Sequence, residues 1–380
     1  MAGSVTWERL RELAGFRAEN GCAISLYLNL DPSVAPTAGD AATRINSLLA
    51  EGEKRLSSAR SELTHEQREG LKADLNRIQS FFDNDFDRDG AHGLAVFAAR
   101  LDNFWRPLDL PGAPADEIKI DREFYLTPLV PLVGRGDGAL VAVVSREQGR
   151  VYRLRAGRLE EVVDQSDEVP GQHDQGGWSQ ARFERHIDHL VLEHVKAVAR
   201  HLDRLVRRSG DVKIVVVCAE ELRSDVADMV SYETRKAIVG FTQVEAHAGP
   251  PELLEAATPI LEQARAKEEE QSLARWREEA GKNGRAASGW GPTLEAASDG
   301  RVEILLFHEG ADRAAYQCPA CGRAALDDGS CPLDGTAMEQ RETGLDLAVH
   351  QTLAHGGSVW AVRHHRDLDP VEGIGALLRY

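Results

Sequence analysis

Near the middle of the chain, a pair of glycines lies close to a side chain that carries an amide: Gly176 and Gly177 stand shortly before Gln180. Glycine adopts backbone angles closed to other residues and lets a ligand approach the main chain closely. If a helix starts here, its unpaired N–H groups attract anionic or carbonyl oxygens. The pattern therefore predicts a narrow loop tip that can enter a confined site. The alternative is an ordinary flexible loop, with Gln180 capping the first turn of a helix.

Basic side chains surround this loop, although the 380 residues include 45 Lys and Arg against 62 Asp and Glu, a formal net charge of −17. This acidic average argues against wholesale coating of DNA, because neutralising the backbone needs concentrated positive charge. Arginine favours bidentate contacts with phosphate, so we expect local RNA contact; the alternative is a solvated helix face. The flanking basic residues are Arg146, Arg150, Arg153, Arg155, Arg158, Arg182, Arg185, Lys196, Arg200, Arg204, Arg207 and Arg208. The candidate phosphate ligands among them are Arg182, Arg185, Lys196 and Arg200.

Three of the five cysteines fall in two matching segments, Cys318-Pro319-Ala320-Cys321-Gly322 and Cys331-Pro332-Leu333-Asp334-Gly335. Such knuckles hold tetrahedral zinc, so the spacing predicts a structural Zn²⁺ with a carboxylate in place of the fourth thiolate. The predicted ligands are Cys318, Cys321, Cys331 and Asp334. Alternatives for the fourth position are His308, His350 and His355. Free or buried thiols without a metal are the alternative to a zinc site.

Regular elements flank the glycine loop. Three strand signals at 138–145, 150–154 and 158–163 predict a meander before it. Behind the loop, apolar residues recur three and four positions apart and predict one long amphipathic helix. These apolar positions are Phe183, Ile187, Leu190, Val191, Val195, Val198, Leu202 and Leu205. A second, weaker metal candidate on this helix comprises His186, His189, Glu193 and His194, although a polar surface stripe explains these residues adequately.

The rest of the chain alternates helix and strand signals, so we expect an α/β protein of two or three domains. A strand at 212–218, a short strand near Val244 and a charged helix from Pro251 follow the long helix. A flexible connection is expected at 281–291. No segment has the apolar length of a membrane span and the first residues lack an apolar signal core, so a cytoplasmic location is expected.

Two motifs resemble archaeo-eukaryotic class-1 release factors. The glycine loop followed by Arg182-Phe183 is similar to their GGQ loop, and the last residues, 373–380, are similar to the GIGAxLRY ending that release factors share with Pelota-type factors and bacterial relatives. The likeness covers about two thirds of the chain. It departs at the loop itself, where Trp178 and Ser179 separate the glycines from Gln180. The spacing fits the GxxQ form of Vms-type peptidyl-tRNA hydrolases, and Gln175 is a second candidate.

The resemblance implies three domains: an N-terminal α/β domain at 1–124, an RNase H-like central α/β domain at 125–271 with the loop at 171–180, and a C-terminal α/β domain at 272–380. The third would carry the cysteine knuckles as a zinc-ribbon-like insertion at 316–340. It also implies ribosome and tRNA as partners, with elongation factor Tu or a related GTPase as a further partner.

The resemblance implies peptidyl-tRNA ester hydrolysis in the peptidyl transferase centre, with Gly176, Gly177 and Gln180 as the catalytic loop. Hydrolysis of this ester needs a water placed in line with the carbonyl and donors facing the oxyanion. A Balon-like or Pelota-like rescue or hibernation factor that occupies the A site without chemistry is the second hypothesis. A stand-alone hydrolase or RNA-binding protein that shares only the fold is the third. The first segment contains nothing similar to the stop-codon motifs of true release factors, so rescue is favoured over termination.

Overall fold

The structure, a computed structural model, describes residues 5, 7–58, 63–87, 91–133, 138–145, 149–155, 157–164, 180–209, 212–245 and 248–380. The side chains at 163, 164, 180–192 and 194 lie outside this description. The chain divides into two compact units, each of mixed α/β structure as expected. The discontinuous unit comprises Met1–Val133 and Ala266–Tyr380, and the central unit comprises Gly134–Arg265. The three-domain boundaries expected from the resemblance stay a prediction.

In the described residues, the helices are α1 (Trp7–Ala14), α2 (Ala38–Ser58), α3 (His65–Asn84), α4 (Gln180–Ser209), α5 (Arg223–Met229), α6 (Tyr232–Ala237), α7 (Pro250–Gly281), α8 (Trp290–Ser298) and α9 (Gly344–Ala354). The strands are β1 (Ala23–Asn29), β2 (Gly93–Ala99), β3 (Phe104–Leu110), β4 (Glu117–Asp121), β5 (Leu140–Val144), β6 (Gly149–Arg155), β7 (Arg158–Asp164), β8 (Ile214–Cys218), β9 (Ile238–Thr242), β10 (Ala286–Ser288), β11 (Val302–His308), β12 (Ala315–Gln317), β13 (Ala324–Ala325), β14 (Glu339–Arg341), β15 (Ser358–Val362) and β16 (Ile374–Leu378).

The N-terminal sheet has the order β3-β2-β1-β4 and is antiparallel at every pairing. Because successive side chains of a strand point to opposite faces, β1 contributes to two cores. Ile24 and Leu26 pack towards α2 and α3 in one core, whereas Tyr27 belongs to a second core that also contains residues of α1, α8 and α9. The N-terminal sheet and the C-terminal elements of the discontinuous unit therefore share one apolar core.

The C-terminal sheet has the order β10-β16-β11-β15, with β11 and β15 parallel and β16 antiparallel to both of its neighbours. All five residues of β16 are buried. A Cβ on Gly375 would lie 2.8 Å from the indole nitrogen of Trp276, and Gly373 has a φ of +79°, which favours glycine. The terminal motif is thus a buried strand whose glycines are required by packing and by backbone conformation.

Two expected elements differ from the structure. The expected flexible connection at 281–291 contains β10 and the start of α8, because Ala287 pairs with Ala376 of β16. The strand expected near Val244 lies earlier, at β9, where Phe241 pairs in parallel with Val216 of β8.

The central unit is built on a five-stranded sheet of order β7-β6-β5-β8-β9. Strands β5, β6 and β7 form the expected antiparallel meander, and β5, β8 and β9 are parallel. Val198 and Leu202 of α4 pack on one face of the sheet, and Leu253 and Ala257 of α7 pack on the other. This layering fixes the face that α4 turns away from the sheet. No helix of the described residues combines the length and hydropathy needed to cross a bilayer.

Candidate functional site

The glycine loop is the first predicted site. Gly176 and Gly177 lie outside the described residues. Gln180 is the first residue of α4, as the periodicity indicates, but its side chain and those of Arg182 and Arg185 lie outside the description. The roles assigned to these five residues stay predictions.

Further along α4, three arginines lie on one helix face because they are spaced four and three residues apart. We call Arg200, Arg204 and Arg207 the arginine stripe. They line a shallow surface depression together with His201 and Asp203. Lys196, one turn before the stripe, pairs with Glu193 at 2.9 Å. In the part of the chain that the structure describes, none of the three stripe guanidinium groups forms an ion pair within 4 Å of a carboxylate.

Local contacts hold the stripe against the helix. Nε of Arg200 donates to the carbonyl of Lys196 at 3.2 Å, and Nε of Arg207 donates to the carbonyl of Asp203 at 3.1 Å. One terminal nitrogen of Arg204 lies 2.7 Å from Nδ1 of His201. Each guanidinium is thus oriented through a single neighbour, and its other donors are available to an acceptor such as phosphate.

Asp203, an acidic residue that lines the same depression as the arginine stripe, forms a hydrogen bond with another element. Oδ1 of Asp203 accepts the backbone N–H of Ser231 at 3.0 Å, at the start of α6. Burial alone would raise the pKa of Asp203, but hydrogen bonds from Thr234 and Ser231 lower this pKa below its ordinary value. Partial burial, and then the charges of Arg204 and Arg200, lower the pKa of His201. The depression therefore presents positive charge that no carboxylate of the described residues neutralises by direct pairing.

The second predicted site, the cysteine knuckles, is brought together by the fold. Ligand atoms of Cys318, Cys321, Cys331 and Asp334 all lie within 4.8 Å of one another. Sγ of Cys321 lies 3.5 Å from Sγ of Cys331, and Sγ of Cys318 lies 3.4 Å from Oδ2 of Asp334. A tetrahedral zinc with Zn–S bonds of about 2.3 Å separates its sulfur ligands by about 3.8 Å. The donor set and its spacing therefore fit a zinc ion.

The two knuckles have the same backbone hydrogen bonds. In the first, the N–H of Cys318 donates to the carbonyl of Arg323 at 2.8 Å and that of Gly322 donates to Cys318 at 2.9 Å. In the second, the N–H of Cys331 donates to Thr336 at 2.8 Å and that of Gly335 donates to Cys331 at 2.9 Å. Gly322 and Gly335 have φ angles of +78° and +75°. Asp334 consequently occupies the position in its knuckle that Cys321 occupies in the first.

The three histidines considered for the fourth position make other contacts. Nε2 of His350 lies 2.5 Å from the carbonyl of Phe124, Nδ1 of His308 lies 3.1 Å from Asp369, and Nδ1 of His355 lies 2.8 Å from the carbonyl of Gln351. Asp334 is the acidic residue in the cluster. The N–H and then the hydroxyl of Thr336 lower its pKa to about 2, which keeps the carboxylate ionised.

A group of buried hydrogen bonds around Asp346 in the discontinuous unit, which we call the joint, was not predicted from the sequence. Oδ1 of Asp346 in α9 accepts hydrogen bonds from the N–H of Leu126 at 2.8 Å and from the N–H and hydroxyl of Thr127, each at 3.0 Å. Burial raises the pKa of Asp346, an effect opposed by His350 and then by these donors. Nothing local signals the joint, because its partners lie 219 and 220 positions apart in sequence.

Comparison with known proteins finds a matching family model for the central region and similar proteins among release factors. Residues 125–262 match the model of "Bacterial archaeo-eukaryotic release factor family 10". The chain is 25% identical over 333 residues to peptide chain release factor subunit 1 of Archaeoglobus fulgidus, covering 83% of this chain and 78% of that protein. It is 24% identical over 336 residues to the protein of the same name from Thermococcus onnurineus, with the same coverage of 83% and 78%.

Among solved structures, the chain is similar to that described as a model of ribosome-bound archaeal Pelota and ABCE1, with 14% identity, coverage of 78% and 79%, and a TM-score of 0.41. Over residues 125–262 the chain thus resembles this bacterial release factor family, and along most of its length it is similar to archaeal peptide chain release factors.

Proposed function

We propose that this protein is a ribosome-associated rescue factor that inserts the loop from Gly176 to Gln180 into the peptidyl transferase centre and hydrolyses the peptidyl-tRNA ester. The observation that carries the proposal is the placement of the arginine stripe on α4, the helix that begins at Gln180. A loop that must reach the end of a tRNA needs phosphate contacts on the element that supports it. The match to the release factor family over 125–262 covers the same helix.

The proposed chemistry requires no metal and no protein nucleophile. A water attacks the ester carbonyl, its oxygen forms the new bond to carbon, and the bond from carbon to the ribose oxygen breaks. One proton of the water passes to the ribose oxygen and the other is released to solvent, so the products are a peptide carboxylate and a free tRNA end. Gln180 orients the water through its amide, while Gly176 and Gly177 permit close approach. N–H groups at the start of α4 face the developing oxyanion.

In this proposal Arg182, Arg185, Lys196 and Arg200 contact RNA phosphates, and we add Arg204 and Arg207 because they lie on the same helix face as Arg200. Successive stripe residues rise along the helix by about 4.5–6 Å, since each residue adds about 1.5 Å. That interval is close to the spacing of phosphates along a nucleic acid strand. The ribosomal A site supplies such RNA, and elongation factor Tu or a related GTPase is the proposed partner for delivery in the cytoplasm.

A single-turnover assay with peptidyl-tRNA on purified bacterial ribosomes tests the chemistry. We expect Gln180→Ala to slow ester hydrolysis on the order of 100-fold, the effect typical of one misplaced transition-state interaction. Gln175→Ala, which removes the second candidate amide, should retain activity if Gln180 orients the water, and loss of activity in this variant alone would assign that role to Gln175. Wild-type and variant should co-sediment equally with ribosomes, which separates catalysis from binding.

The second candidate is a factor that occupies the A site of stalled or dormant ribosomes without chemistry. Trp178 and Ser179, which separate the glycines from Gln180, favour it because they displace the amide from the release-factor position. Under this function, Gln180→Ala leaves both ribosome binding and protection of the ribosome unchanged. Failure of the wild-type chain to co-sediment with ribosomes would contradict both candidates.

The arginine stripe has its own test. Replacing Arg200, Arg204 and Arg207 together by Ala should weaken ribosome binding and reduce the slope of log affinity against log salt concentration by about 3, about one for each phosphate that is no longer neutralised. Arg235→Ala, which removes an exposed arginine that pairs with Asp228, is the control and should leave the slope unchanged. An unchanged slope in the triple variant would exclude the stripe from the interface.

We also propose that Cys318, Cys321, Cys331 and Asp334 bind a structural Zn²⁺. When bound, zinc would cross-link the two knuckles, and no step of ester hydrolysis depends on it. Metal analysis of the purified chain should give one zinc per molecule. Substitution with Co²⁺ should give the visible absorption of a tetrahedral thiolate site. A zinc content near zero would refute this metal site, but it would leave the proposed ester hydrolysis unaffected.

A further inference from the structure

The insertion that carries the knuckles lies against the edge of the N-terminal sheet, within the discontinuous unit. One terminal nitrogen of Arg17 donates to the carbonyl of Pro319 at 3.1 Å, and the other lies 3.4 Å from Glu123. Pro319 stands between two of the proposed ligands, so the direction of its carbonyl is set by the turn of the first knuckle. The N-terminal part of the chain therefore contacts the knuckle backbone directly.

A second contact reaches the strands that frame the knuckles. Nη1 of Arg341 in β14 lies 2.9 Å from both carboxylate oxygens of Asp121, at the end of β4. Nε of the same arginine donates to the side-chain oxygen of Gln317, at 3.2 Å. Gln317 is only 2% exposed and immediately precedes Cys318. We call these contacts of Arg17 and Arg341 the seam.

The seam requires a folded insertion, and the insertion has little apolar core with which to fold alone. The buried residues of 315–340 other than glycine are Ala315, Gln317, Cys318, Ala324 and Cys331. Two of these five are proposed ligands. So small a set buries too little apolar surface to offset the loss of chain entropy, which is why small metal-binding modules depend on their ion.

We infer that metal binding by the knuckles and attachment of the insertion to the β4 edge form one linked equilibrium. The inference rests on the proposed zinc site. Zinc orders the two knuckles, the ordered first knuckle presents the Pro319 carbonyl to Arg17, and the ordered β12–β14 ribbon presents Arg341 to Asp121. Because the two equilibria are linked, the factor by which zinc strengthens the contacts of the seam equals the factor by which these contacts raise the affinity for zinc.

Reciprocity gives a test in which no ligand is altered. Arg341→Ala in the full chain should weaken Zn²⁺ affinity, measured by competition with a chromogenic chelator, by at least about fivefold, the lower end of typical coupling. Arg17→Ala should act in the same direction. Arg341→Lys, which keeps the charge and one donor, should retain part of the affinity. The matched control is Arg275→Ala, because Arg275 also contacts both carboxylate oxygens of one acidic residue, Glu303, at 2.8 and 2.6 Å, away from the insertion.

The opposite direction is measured by hydrogen–deuterium exchange. Removing zinc with a chelator should accelerate exchange of the backbone amides at 117–123, and adding Zn²⁺ back should restore their protection. Equal zinc affinities of wild type, Arg17→Ala and Arg341→Ala would overturn the linkage and leave the zinc site intact. Exchange at 117–123 that does not change when zinc is removed would have the same meaning. A wild-type chain that binds no zinc would overturn the site and the linkage together.

Discussion

The two knuckles have the same backbone hydrogen bonds, but they differ in the contacts that the rest of the protein makes with them. The first is held from outside: Arg17 contacts Pro319, Nε2 of Gln351 donates to the carbonyl of Gly322 at 2.8 Å, and the hydroxyl of Ser298 accepts the N–H of Ala324 at 2.9 Å. The hydrogen bonds that the structure gives for 329–338 are all made within the insertion. Leu333 at the tip of the second knuckle is 70% exposed.

This difference indicates that identical local geometry is stabilised in two ways. The body of the protein positions the first knuckle, so its two cysteines are prearranged for a metal. The second knuckle has only its own turn and the ligands Cys331 and Asp334, so a bound ion would be its main link to the rest of the molecule. Metal affinity should therefore depend on the external contacts of the first knuckle and be insensitive to the outer surface of the second.

Loss of a thiolate from the second knuckle should have the largest effect. A structural zinc site is worth about 10–16 kcal/mol over four ligands, or roughly 3 kcal/mol each, so Cys331→Ser should weaken zinc binding on the order of 100-fold. Competition titration measures this, with Cys22→Ser as the control because Cys22 lies outside the cluster. Equal affinities of the two variants would mean that the metal does not join the knuckles.

An intermediate effect is expected from the support of the first knuckle. Gln351→Ala removes the donor to Gly322 and should weaken zinc binding by about tenfold, the lower range for groups that orient metal ligands. Leu333→Ser changes the exposed tip of the second knuckle and should leave the affinity unchanged. If Leu333→Ser were the more damaging of the two, the proposed division between the knuckles would be wrong.

The smallest effect is expected when the ligand sets are made equal. Asp334→Cys gives each knuckle two thiolates, and zinc affinity should rise by less than about tenfold, because thiolate is the commoner ligand in structural sites. Increased charge-transfer absorption of the Co²⁺ form measures the added thiolate. An unchanged spectrum would show that position 334 does not reach the metal.

Much of the regular structure follows from local pattern. The spacing of apolar residues locates α4, and the strand signals around it locate β5, β6, β7 and β8, because each element repeats its own period. Each knuckle can also be predicted from the sequence, because residues three apart within a tight turn lie close together in any fold. Asp334 could be placed in the cluster for the same reason.

Pairing over long distance is not accessible to the same reasoning. Strand β10 has only three residues and is defined by Ala287 opposite Ala376, so nothing in 281–291 marks it as a strand. The joint at Asp346 and the seam between Arg341 and Asp121 join positions more than 200 residues apart. Such contacts depend on how sheets pack, which the local pattern does not contain.

The shared apolar core of the discontinuous unit has a consequence for the order of folding. Tyr27 and Phe97 lie on the face of the N-terminal sheet that packs in one core with Leu345 and Val349 of α9. During synthesis, the whole central unit emerges from the ribosome between those two sets of residues and can fold before the second set exists. Until then, the part of this face that α8 and α9 cover stays exposed in the nascent N-terminal sheet, which makes this intermediate prone to aggregation.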